Sequence, residues 1–124
     1  MGLRLTLAMV LLGACNTPSV PIPPPTPDLS AVRIQPATPA GQVTVEGQPN
    51  VNHVNVRFYV FNLSRTDGVI VPARADGSFA SSPFSGSDGD TLQFYFDAPD
   101  GRRSVKVCAG LVLSGPLVPS TTCP

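Results

Sequence analysis

Val54-Asn55-Val56-Arg57-Phe58-Tyr59-Val60-Phe61 is the stretch that decides the fold. Its β-branched and aromatic residues alternate with a period of two, which is the pattern of a half-buried strand and not of a helix. Val54, Val56, Phe58 and Val60 are expected to face a core, with Asn55, Arg57, Tyr59 and Phe61 on the other side. The alternation returns in Thr91-Leu92-Gln93-Phe94-Tyr95-Phe96-Asp97, where Leu92, Phe94 and Phe96 are expected inward. Working outward from these two, shorter strands are predicted over residues 31–35, 42–46, 68–72, 78–81 and 104–108, with 111–113 as a further last piece. Pro39-Ala40-Gly41, Gly47-Gln48-Pro49, Asp76-Gly77, Asp88-Gly89 and Asp100-Gly101 supply the turns between them. From Leu29 onward Gly or Pro recurs too often to leave room for helices. About seven short strands at roughly ten-residue spacing predict an all-β, antiparallel β-sandwich.

Charge narrows the function classes. The chain of 124 residues carries 8 Lys and Arg against 8 Asp and Glu, with no run of either sign. A basic face for nucleic acid is therefore not expected, nor is a polybasic membrane patch. Acid–base chemistry is short of groups as well. His53 is the sole histidine and Glu46 the sole glutamate, so neither a nucleophile–His arrangement nor a Glu-based pair has material to draw on. His53 is read as a surface or strand-end residue. No enzyme activity and no cofactor is expected.

The N-terminus reads as a processed export signal. Met1 to Arg4 is a minimal positive segment, and Leu5 to Leu12 is an apolar run far short of the roughly 20 residues that a spanning helix needs. The run closes on Leu12-Gly13-Ala14-Cys15. These four residues resemble the lipobox of bacterial lipoproteins, in which the Cys becomes the lipidated first residue of the mature protein. The resemblance implies a signal peptide over 1–14, acyl chains such as palmitate on Cys15, and the membrane as a partner through that lipid. It also implies residence in the bacterial cell envelope, at the outer membrane where there is one, because Asn16 and not Asp follows the Cys. Two or more acyl chains make such an anchor stable.

Assigning Cys15 to lipid leaves Cys108 and Cys123 as an even pair in an oxidising compartment. A disulfide between them is expected, with two free thiols or an intermolecular bridge as alternatives. Six of the ten residues from Pro18 to Pro27 are proline. Proline favours the extended polyproline II form, so residues 15–28 read as a semi-rigid tether ahead of one domain over 29–124.

Ala75-Asp76-Gly77-Ser78-Phe79, Gly89-Asp90-Thr91-Leu92 and Asp100-Gly101-Arg102-Arg103-Ser104 carry a second resemblance. They are similar, in order, to signals of bacterial Ig-like and carboxypeptidase-regulatory-like domains, over about residues 43–107. The resemblance implies an Ig-like sandwich that serves as a spacer, adhesion or binding module. The chain departs from antibody-type domains: it has no Trp, and no Cys pair is placed to join two sheets.

Two candidate sites follow. Arg57, Tyr59, Phe61, Gln93 and Tyr95 share the outward parity of strands that a sandwich would make neighbours. Exposed aromatics beside Gln and Arg suit contact with a protein or a glycan. The competing reading covers this face with a loop or with the tail over 111–118. The second candidate is the Asp88/Asp90 loop, which would present carboxylates to Ca²⁺ in a Ca²⁺-dependent carbohydrate-binding module. That alternative needs Asp97 or Asp100 to converge on it, because Ca²⁺ takes six to eight oxygens. Asn62-Leu63-Ser64 matches a glycosylation sequon, expected to stay bare.

Overall fold

The computed structural model describes residues 22–113, 115–120 and 123. The apolar leader, Cys15 and the start of the proline-rich run lie outside these residues. Nine strands occur among the described residues: β1 Val32–Ala37, β2 Gln42–Gly47, β3 Arg57–Asn62, β4 Asp67–Pro72, β5 Phe79–Ala80, β6 Phe84–Ser85, β7 Thr91–Asp97, β8 Val107–Gly110 and β9 Val118–Ser120. Single 3₁₀ turns occupy Leu29–Ala31 and Val51–His53. One sheet is ordered β1-β2-β5, with β6 also paired to β2, and the other is ordered β4-β3-β7-β8-β9. All named strand pairs are antiparallel. The protein is an all-β sandwich.

Period-two burial builds the core from both sheets. Val32, Ile34, Val43, Val45, Phe79 and Phe84 come from the first sheet, and Phe58, Val60, Leu92, Phe94, Phe96 and Ala109 come from the second. Phe58 is the hub of the aromatic packing, 4.5 Å from Phe79 and 5.4 Å from Phe96 between ring centroids. Gly47 pairs with Phe79 in the β2–β5 register, and a Cβ on Gly47 would intrude into the Phe79 ring. A residue without a side chain is what admits that ring to the core.

The strand count exceeds the expected seven, and several bounds move. The long apolar stretch does not pair along its whole length. Asn55 adopts a left-handed φ of 55°, which asparagine tolerates better than a β-branched residue would. This kink delays β3 until Arg57 and leaves Val54 only half-buried. Residues 104–108 contribute only from Val107 onward, and 111–113 form no strand. Leu111 and Leu117 plug the core instead, and the last strand is β9.

Three strands that end a sheet, β1, β4 and β9, each carry a proline, and hydrogen-bond alternation shows why this is tolerated. The Gln48 N–H donates to Ala31 O, the Ala73 N–H to Val56 O and the Leu111 N–H to Asp90 O, each at 2.8 Å. In an antiparallel ladder alternate residues bond to a given neighbour. Counting along from these anchors, Pro36, Pro72 and Pro119 all fall where an N–H would point away from the adjacent strand. Their missing donors cost no ladder bond, and they blunt the edges against adding another chain.

Cys108 and Cys123 are joined by a disulfide, with Cα atoms 5.2 Å apart. The described chain meets the sandwich earlier than residue 29. Pro25 O accepts from the Val105 N–H at 3.0 Å, and Pro27 is buried.

Candidate functional site

The outer face of the five-stranded sheet is built by register. β3 pairs with β7 so that Arg57 opposes Asp97, Tyr59 opposes Tyr95 and Phe61 opposes Gln93. On the other flank β4 sets Pro72, Ile70 and Gly68 against Arg57, Tyr59 and Phe61. Three rows of side chains therefore cross the face. All five residues read from parity as a surface lie in these rows.

The middle row is the most ordered. Tyr59 and Tyr95 stack with centroids 4.7 Å apart and planes 5° from parallel. The Tyr59 hydroxyl donates to Asp97 Oδ2 at 3.0 Å. Arg103 donates to both Asp97 oxygens, at 2.8 and 3.1 Å. Its Cζ is 5.5 Å from the Tyr59 centroid and 5.1 Å from that of Tyr95. The Arg103 hydrogen bonds hold the Asp97 carboxyl below its ordinary range, with help from the Tyr59 hydroxyl. Lys106 Nζ approaches the Tyr95 ring at 5.4 Å. The one acid in these rows is thus neutralised by Arg103, leaving Arg57 and Lys106 as cations at the margin.

Gly68 leaves a dent beside this row. The depression holds about 350 Å³ and is lined by Tyr59, Phe61, Ile70, Gln93 and Tyr95 among others. Ile70 is 64% exposed and Phe61 37%. The tail does not take the course of the covering reading, since Leu111 and Leu117 turn into the core. Cys108 does lie on this face, in register with Gln93. The bridge brings Cys123 Sγ to 3.9 Å from Gln93 Nε2 at the margin of the patch.

Sequence reading missed Ile70, Gly68, Arg103 and Lys106. Ile70 sits in a segment predicted as a strand, so assuming a β3–β4 hairpin would have placed it beside Tyr59. Arg103 lies just outside the strand predicted over 104–108 and Lys106 inside it, but both fall in the loop before β8, so neither was placed beside Tyr95.

The Asp88/Asp90 loop does not form the acidic cluster that the Ca²⁺ alternative requires. Asp88 Oδ1 accepts from the Leu113 N–H at 2.7 Å. Asp90 Oδ2 accepts from Asn62 Nδ2 at 2.8 Å, Arg65 Nε at 2.6 Å and the Ser87 N–H at 3.0 Å. Burial works to raise the Asp90 pKa, but the Asn62 and Arg65 donors outweigh it and the carboxyl ends below its ordinary value. A guanidinium stands where a cation would bind. Asp97 and Asp100 are engaged by Arg103 and Arg102. Among the described residues no group of three or more His, Cys, Asp or Glu could hold a metal ion, and this donor set does not fit Ca²⁺. Asn62 of the sequon is fully buried, and its amide also donates to Ser85 O at 3.0 Å.

His53 is neither at the surface nor at a strand end. The turn through Val51–His53 and the left-handed Asn55 fold it inward, where it is fully enclosed. It packs edge-on against Phe58 and Phe96, at 4.8 and 5.8 Å. Its Nε2 accepts from the Asp28 backbone N–H at 3.0 Å. None of these ring and backbone partners is a nucleophile. A further depression of about 610 Å³ runs between β1 and the tail, with Leu29, Val32, Ile34, Leu113, Leu117 and the charged Arg33 in its lining.

No family model, curated protein or solved structure matches the chain.

Proposed function

We propose that the protein is a lipid-anchored component of the bacterial cell envelope, held at the membrane through Cys15. In this reading its Ig-like sandwich is a non-catalytic module that contacts a protein or glycan partner. The observation that carries the contact reading is the outer face of β4, β3 and β7. There a stacked Tyr59–Tyr95 pair, two exposed apolar side chains and a dent floored by Gly68 share one continuous surface. Aromatic and apolar groups bounded by arginine suit a contact patch, because large rigid rings bury area at little entropic cost and the rim supplies hydrogen bonds. Enclosure of His53 and engagement of Asp88 and Asp90 by protein donors favour a binding module over an enzyme or a Ca²⁺-dependent lectin.

Two measurements test the reading. The mass of the chain extracted from its native membrane should correspond to a chain starting at Cys15 plus acyl groups, and Cys15→Ser should remove them. An unacylated, full-length species in the soluble fraction would discard the anchor. For the face, a photo-crosslinking residue at position 61 or 70 should give a defined adduct with an envelope component in intact cells. The same residue at 33 or 35, on the other sheet, should give none. Equal adducts from both faces, or none from 61 and 70, would remove the face from consideration.

A further inference from the structure

We infer that His53 and Asp28 form a pH-operated latch. The latch holds residues 25–28 against the sandwich and releases them when the imidazole takes up a proton. The inference stands whether or not residue 15 is acylated.

The latch rests on an unusual donor. His53 Nε2 accepts from a backbone N–H, that of Asp28, at 3.0 Å. In the neutral ring the proton therefore sits on Nδ1, which has no hydrogen-bond partner among the described residues. A backbone amide cannot reverse its role. Once Nε2 is protonated, a donor faces a donor, and a charge sits inside an aromatic cage.

The groups around the ring make relief from within the fold hard to find. β3, β5 and β7 present Phe58, Phe79 and Phe96, none of which titrates. The turn that carries His53 adds the uncharged Asn50. Asp28 is the one charged group acting on the ring among the described residues. Its carboxylate is already occupied by the Ser30 N–H at 3.1 Å, the Ser30 hydroxyl and Asn50 Nδ2 at 2.8 Å. Burial accordingly pushes the imidazole pKa below 6.5, and the attraction of Asp28 opposes this only in part.

The cheapest way to hydrate the imidazolium is to lift the segment that covers it. Residues 25–31 are tied down by a few bonds, Val105 N–H to Pro25 O, Asp28 N–H to His53, Asn50 to Asp28 and Gln48 N–H to Ala31 O, together with the buried Pro27 and with Leu29 packed against the core. Lifting them exposes the polar edge of the ring and leaves the Phe58–Phe79–Phe96 packing in place. Local openings of this kind require far less free energy than global unfolding.

Proton linkage sets the direction. The opened ring titrates near its ordinary 6.5 and the latched ring lower, so between the two values the open state binds more protons. Opening then increases about tenfold per pH unit below roughly 6.5 and levels off at the latched pKa. The Asp28 carboxyl, held below 3.8 mainly by Ser30 and Asn50, stays ionised through this window and does not contribute.

Amide hydrogen exchange on the full chain between pH 7 and 5, corrected for intrinsic rates, tests the latch. Protection of the Asp28 amide should fall about tenfold per pH unit below roughly 6.5, while Phe58, Val60 and Phe94 in β3 and β7 keep theirs. His53→Gln, which retains an acceptor and loses the titration, should flatten the Asp28 profile. Flat protection at Asp28 in the wild type overturns the latch. So does loss of protection at Asp28 and the core strands together, which would mean acid unfolds the whole sandwich. The wild-type profile decides the matter even if the variant fails to fold.

Discussion

Phe58→Ala is expected to remove about 3–5 kcal/mol of stability, the range for truncating a buried aromatic in a core that relaxes only partly. The ring is fully enclosed and touches His53, Phe79 and Phe96 at once. It therefore supports groups from both sheets and the turn that carries His53. A single domain has a total of about 5–15 kcal/mol to lose, so the variant would sit close to the edge of folding at moderate temperature. Urea unfolding is the measurement. The midpoint should fall steeply with little change in slope, and Phe58→Leu should recover much of the loss. A loss under about 1.5 kcal/mol would show that the neighbouring rings collapse into the space and that the cluster is not tightly packed.

The second large effect is expected from the disulfide. Cys108 and Cys123 are 15 positions apart in sequence, and closing a loop of that size is worth about 3 kcal/mol in the chain-entropy model. The site of the damage is predictable as well. β9 pairs only with β8, through three residue pairs, and its three residues are all exposed. With the bridge replaced by Cys108→Ala and Cys123→Ala, β9 should leave the sheet first and take the buried Leu117 with it. Proteolysis should then cut within residues 113–120 well before the rest of the domain. A double variant with an unchanged urea midpoint and an uncleaved tail would show that β9 holds by packing alone.

The anchor, the contact face and the latch concern different parts of the chain, and their tests do not interfere. The mass reads the N-terminus, the crosslinks read positions 61 and 70, and the exchange profile reads Asp28. None of them depends on a catalytic group.

Side-chain period is a local property, and what depends on it was legible from residue order alone. Val56, Phe58 and Val60 in one strand and Leu92, Phe94 and Phe96 in another alternate with polar neighbours. Burying one side of each strand then required a second sheet to face it, whatever the loops did. The same parity put Tyr59, Phe61, Gln93 and Tyr95 outside. The pairing of strands distant in sequence decided the rest. Tyr59 stacks on Tyr95 because β3 and β7 meet in one register and no other, and Gly68 opens a dent beside them because β4 returns at that same register. β6 and β9 are too short to show any period and are strands only because β2 and β8 offer them edges. His53 looked like a surface or strand-end residue, and the Val51–His53 turn with a left-handed Asn55 put it in the core. Asp88 and Asp90 looked like a pair of free carboxylates until Leu113, Asn62 and Arg65 arrived from other segments to occupy them. Alternation of polarity is written residue by residue along the chain, whereas the partners of a polar group are supplied by whichever distant segments the packed sheets bring to it.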